Sequence, residues 1–127
     1  MSTLAGLADE IRAGKSFPDI LGDFLDAFYR QPDAIMLQDE PASLSGISSE
    51  GEMLDAYLGG IVERLARAFR MPIPEWVFRP SRYLHHPYFG SEASALRATL
   101  LIESPAEFRS RNIFVTANAL DRASRYR

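Results

Sequence analysis

Apolar positions recur along the chain at helical spacing, broken by proline, glycine and clusters of small polar residues. Leu4, Leu7, Ala8 and Ile11 fall on one face, as an amphipathic helix requires, and Gly14-Lys15 ends it. Ser16-Phe17-Pro18-Asp19 reads as the next start, with Ser16 as N-cap, a proline in the first turn and Asp19 three residues beyond the cap. Ile20, Leu21, Phe24, Leu25 and Phe28 follow on one side, with Asp19, Asp23 and Asp26 on the solvated side. This predicts a helix over residues 17–30, closed by Gln31-Pro32. Residues 31–48, with Pro32, Pro41 and Gly46, read as a loop, either partner-facing or mobile. Ile35-Met36-Leu37 would pin it to the core as one short helical turn.

The longest helix is expected over residues 50–70. Ser49-Glu50-Gly51-Glu52 resembles a capping box, and Leu54, Tyr57, Leu58, Ile61, Val62, Leu65 and Phe69 repeat at intervals of three and four. Gly59-Gly60 inside it costs about 1 kcal/mol per glycine relative to alanine. Small residues there let another helix approach closely, a simpler reading than a ligand site. Met71-Pro72-Ile73-Pro74 stops the helix. Trp76, Phe78, Tyr83, Tyr88 and Phe89 follow, interleaved with Arg79, Arg82, His85, His86 and Pro80 and Pro87. This reads as an irregular strap, anchored to the long helix by a buried Trp76.

A further helix is expected from Glu92 to Glu103, with Ala95, Leu96, Thr99, Leu100 and Ile102 inward. Ser104-Pro105-Ala106-Glu107 reads as a helix start, with Ser104 as N-cap accepting from the backbone near Glu107. Ile113-Phe114-Val115-Thr116 is β-branched and reads as a short extended piece. Asn118-Ala119-Leu120-Asp121 would cap a last short helix, fraying through Arg122–Arg127. The expectation is an all-α fold, a single domain over 1–127 with five or six helices and an aromatic, proline-rich strap.

Composition narrows the chemistry. The chain has 127 residues, 46% hydrophobic and 24% charged, as in a globular domain and too apolar for a disordered chain. There is no cysteine, which removes disulfides, thiol nucleophiles and thiolate metal sites. No apolar run approaches the ~20 residues of a membrane span. The opening MSTLAGLADEIRAGKSF has no basic stretch leading into an apolar one, so no secretory signal is expected and the cytoplasm is the expected compartment.

Net charge is −3, unevenly spread. Residues 1–57 carry three basic against eleven acidic side chains; residues 58–127 carry eleven arginines against six acids. Either the two halves pair with each other, or the basic half meets an acidic partner or nucleic acid. The basic-aromatic run 76–89 would suit stacked bases and phosphates, although a buried strap is the simpler reading. His85 and His86 are adjacent, so their rings point apart rather than toward one metal ion. No carboxylate spacing marks an acid–base pair, and no strained nucleophile turn or phosphate loop is present. No catalytic residue, cofactor or metal is therefore expected.

The sharper polar cluster is Arg109, Arg111 and Asn112, with Arg122 one short helix away. Its simpler reading is pairing with Glu103 or Glu107 and capping of helix ends. Arg109 and Arg111 are two apart and cannot share a helical face. Arg109, beside Glu107, is expected to be structural along with Trp76 and Ser104. Arg111, Asn112 and Arg122 are expected to meet a partner.

From Leu58 onward the sequence resembles a group of small bacterial helical proteins. The likeness rests on Pro74-Glu75-Trp76, Tyr83-Leu84, Pro87-Tyr88-Phe89, and the string from Glu103 through Ser104-Pro105, Phe108-Arg109 and Arg111-Asn112-Ile113-Phe114-Val115, with Asn118 and Leu120. Phe24-Leu25-Asp26-Ala27-Phe28-Tyr29 resembles their first half. Such proteins sit beside nucleotidyltransferase-like toxins in two-gene modules. The resemblance implies an antitoxin-like interaction module that restrains a nucleotidyltransferase-type enzyme, and it transfers no catalytic residues. The alternative is a nucleic-acid-binding regulator using the arginine-rich half.

Overall fold

The computed structural model describes residues 2–47, 49–90, 94–117 and 119–121, with the backbone alone at 94–96 and 98. The fold is all-α. Six α-helices follow in order: α1 (Leu4–Arg12), α2 (Phe17–Arg30), α3 (Ile35–Gln38), α4 (Gly51–Ala68), α5 (Ser94–Glu103) and α6 (Ala106–Arg109). Two short 3₁₀ turns, Glu75–Phe78 and Pro80–Arg82, lie in the strap. The expected extended piece is a two-residue strand, β2 (Ile113–Phe114), paired in parallel with β1 (Tyr88–Phe89) in the strap. Among the described residues no helix is long and apolar enough to cross a membrane.

The apolar stripes lie where the periodicity puts them. Leu4, Leu7 and Ala8 of α1 are buried, and Thr3 caps that helix by accepting the Gly6 N–H at 3.1 Å. In α2 the residues Ile20, Leu21, Phe24, Leu25 and Phe28 are buried. Its N-cap is Ser16, as expected, but the hydroxyl makes no cap hydrogen bond. Residues 31–48 are pinned by α3, whose Met36 and Leu37 are buried. Ring contacts join α2 to α4: Phe17 with Tyr57 at 5.8 Å, and Phe28 with Phe69 at 5.0 Å.

Helix α4 is the axis of the molecule. Its buried residues include Leu58, Ile61, Val62 and Leu65 on one side and Ala56, Gly59, Gly60 and Glu63 on another. A helix enclosed on more than one face has partners all round. α6 and the second 3₁₀ turn pack on the small-residue face. A Cβ on Gly60 would lie 2.6 Å from the Phe108 ring, and one on Gly59 would lie 3.1 Å from Arg82 Cβ. The two glycines serve close approach, as expected, and what approaches is one phenyl ring and two arginine side chains.

Four expectations need correction. Ser49 does not cap α4: Glu50 holds the N-cap position and no side chain makes a cap hydrogen bond there. α5 turns Ile102 and Thr99 outward rather than inward: Ile102 is 77% exposed, while Leu100 is buried. The strap is only partly buried, since Trp76 is 5% exposed whereas Phe78 and Tyr88 face solvent. Ser104 does end α5, but it is not the N-cap of α6; Pro105 holds that place. The expected cap residue Asn118 and the segment 122–127, including Arg122, lie outside the described residues.

Candidate functional site

Two arginines lie side by side against Gly59, both enclosed. Arg111 is 0% exposed. Its Nη1 donates to Glu63 Oε1 at 2.6 Å and to the Glu107 carbonyl at 2.7 Å, and Nη2 donates to the Val77 carbonyl at 2.7 Å. The guanidinium lies over the Tyr83 ring at 4.6 Å. One side chain thus ties together α4, α6 and the strap. Arg82 does the same for the preceding loop. It donates to the Asp55 carbonyl at 3.2 Å, to Glu40 Oε2 at 3.1 Å and to the Pro41 carbonyl at 2.8 Å, and lies over Trp76 at 4.9 Å. A delocalised, weakly hydrated guanidinium suits such sites, where it meets several acceptors and a ring face together.

The acids are held as firmly. Asp55, buried on α4, accepts from Leu44 N–H at 2.8 Å, Ser45 N–H at 3.2 Å and Ser43 Oγ at 2.9 Å. It therefore fixes the loop entering α4. Burial works to raise the Glu63 carboxyl, but hydrogen bonds from Arg111 and Arg67 outweigh it and hold Glu63 below the usual carboxylate range. Glu107 is paired with Arg64 at 3.3 Å and Arg67 at 3.7 Å.

The structure reverses the expected roles of Arg109 and Arg111. Arg111 faces inward because Glu63, 48 residues earlier, waits on α4. A buried guanidinium needs such a counter-charge. Arg109 is exposed, with one long contact of 3.5 Å to the Ile102 carbonyl, and pairs with neither Glu103 nor Glu107. Asn112 is also internal in role. Its φ of 64° lies in the left-handed region that asparagine tolerates. Its Nδ2 donates to the Leu84 carbonyl at 3.0 Å and its own carbonyl accepts Tyr88 N–H at 2.8 Å. It joins α6 to the strand pair.

Trp76 is buried as expected, and its Nε1 donates to the Gln38 carbonyl of α3 at 3.2 Å. Ser104 is buried and structural by a different device. Its hydroxyl accepts Val115 N–H at 2.9 Å, and its proton faces the carbonyls of Leu100 and Val115. It thus fastens the end of α5 to the end of β2.

Sequence reasoning missed Arg82, Glu63 and Asp55. The signal was present at Ala56, Gly59, Gly60 and Glu63, which repeat at three and four and mark a second buried face on α4.

Among the described residues, two features that could receive a ligand or partner stand out. One is the outward side of α5, where Leu101 is 47% and Ile102 77% exposed beside the exposed side chain of Arg109. The other is a cavity of about 430 Å³ between α2, α4, α5 and β1, walled by Phe17, Met53, Tyr57, Tyr88, Leu100 and Val115. No family model matches the sequence, and neither a curated protein nor a solved structure is significantly similar to it.

Proposed function

We propose that this chain is a protein-interaction module that restrains a partner enzyme as an antitoxin does, through the outward side of α5 and Arg109. The observation that carries this reading is the adjacent pair Leu101 and Ile102, apolar and exposed, with a guanidinium beside them. Apolar side chains with an arginine at the rim match the make-up of protein interfaces. The resemblance of the string from Ser104 to Val115 supplies the class of partner, a nucleotidyltransferase-like toxin.

The placement of the arginines favours this reading over nucleic-acid binding. Arg64, Arg67, Arg79, Arg82 and Arg111 are all engaged by carboxylates within the chain. Arg79 and Arg82 reach Glu40 of the acidic half. Arg64, Arg67 and Arg111 pair with acids of their own half, so five of the eleven arginines of residues 58–127 are engaged within the chain rather than displayed to phosphate.

The test is whether the gene beside this one encodes a nucleotidyltransferase-like protein, and whether that protein co-purifies with this chain and is inhibited by it; a neighbour of another class, or no complex, overturns the reading. The double variant Leu101→Glu/Ile102→Glu is expected to lose the complex while keeping the wild-type melting temperature. Retention of the complex by this variant overturns the assigned surface. Salt-dependent nucleic-acid binding, with affinity falling as a power of salt concentration, would favour the regulator instead.

A further inference from the structure

The cavity between α2, α4 and the strand pair is independent of the α5 surface and has the make-up of a small-molecule site. Its wall combines the rings of Phe17, Tyr57 and Tyr88 with the aliphatic side chains of Met53, Leu100 and Val115. Ligand pockets are mostly apolar clefts of about 300–1,000 Å³ with a few polar groups that fix orientation, and 430 Å³ falls in that range. An apolar cavity of about 150 Å³ accommodates benzene, so this one has room for two or three fused or linked rings.

The polar groups define the ligand further. Among the described residues nothing hydrogen-bonds the Tyr57 hydroxyl, although Tyr57 is fixed by edge and tilted ring contacts to Phe17 and Phe108 at 5.8 and 5.0 Å. The hydroxyl lies on the wall of this open cavity, where a ligand can reach it. Burial, with a smaller contribution from Tyr88, pushes the Tyr57 phenol up to about 12. It therefore remains an O–H donor throughout the physiological range. None of the described lining residues is basic, so nothing there would pair with an anionic ligand.

We infer that this cavity binds a neutral, flat, apolar compound of two or three rings that bears an acceptor oxygen, with Tyr57 donating to that oxygen. The ring walls supply affinity by area, and the single donor fixes which end enters first.

The test uses a neutral naphthalene ketone with environment-sensitive emission, 6-propionyl-2-dimethylaminonaphthalene, titrated into the intact protein. Saturable one-to-one binding with blue-shifted emission is expected. Tyr57→Phe removes only a hydroxyl that has no partner among the described residues, so it is expected to fold normally and weaken binding roughly fivefold, the worth of one hydrogen bond. Met53→Trp, which fills the wall from α4, is expected to abolish binding. Far-ultraviolet circular dichroism and a thermal melt check that both variants are folded. Absence of saturable binding by the wild type overturns the inference, as does binding that both folded variants leave unchanged. Equal affinity for an anionic naphthalene sulfonate would overturn the assignment to a neutral ligand.

Discussion

Replacing Arg111 tests whether it is a buried joint or a contact surface. Arg111→Ala removes the ion pair to Glu63 at 2.6 Å, two hydrogen bonds of 2.7 Å to the Glu107 and Val77 carbonyls, and the stacking over Tyr83. Breaking a buried ion pair from one side costs about 3–5 kcal/mol, because the partner charge is left uncompensated. Arg67 still holds Glu63 Oε2 at 2.8 Å, but its half-exposed side chain is screened by water and compensates only in part. Loss of the donor to Val77 adds about 1–3 kcal/mol for a buried carbonyl. These terms overlap, since one side chain makes all the contacts. A net loss of about 4 kcal/mol is expected, a large share of the roughly 5–15 kcal/mol of a small domain. Equilibrium urea unfolding, read by circular dichroism and by the buried Trp76, measures it. Arg111→Met combined with Glu63→Leu is expected to recover much of the loss, because well-packed apolar pairs replace buried ion pairs at little cost. A loss under about 1 kcal/mol for Arg111→Ala, with partner binding abolished, would refute the buried role and restore Arg111 as the outward contact.

Gly60→Ala is expected to lower the unfolding free energy by about 1–3 kcal/mol despite alanine's better helix propensity, since its Cβ would lie 2.6 Å from Phe108; a more stable variant would show that the ring moves aside freely. Ser104→Ala is expected to cost about 1–3 kcal/mol by leaving the buried Val115 N–H without its acceptor, and amide exchange at Val115 should quicken with it. Because the Glu63 carboxyl titrates lower when folded than when unfolded, its contribution is present above the ordinary carboxylate pKa and fades as pH falls through the folded value. Glu63→Gln should therefore destabilise the protein at pH 7, and the gap to wild type should close below about pH 4; a gap constant with pH would sink this account.

The local sequence determined the helices. Period-three-and-four apolar positions mark α1, α2 and α4 because a helix on a core must bury one stripe, and Ile35-Met36-Leu37 marks α3 for the same reason. Proline and glycine gave the breaks, because their backbone limits act within a residue or two. The short piece at Ile113-Phe114 was legible from its β-branched and aromatic content. Its partner strand was not, since Tyr88-Phe89 lies 25 residues earlier in register.

Tertiary structure decided which polar residues are inside. Arg109 and Arg111 have nearly identical neighbours along the chain, yet one is exposed and the other wholly enclosed. The difference is a carboxylate 48 residues away that can meet one guanidinium and not the other. Burial of charge is a property of such pairs, because desolvation of either member alone costs more than folding can return. For the same reason Ser104 reads as a cap in sequence but becomes a fastener in space once Val115 brings an N–H to its hydroxyl. The sequence alone therefore establishes the helices and their breaks, and long-range pairing establishes the arginine joint, the exposed side of α5 and the aromatic cavity.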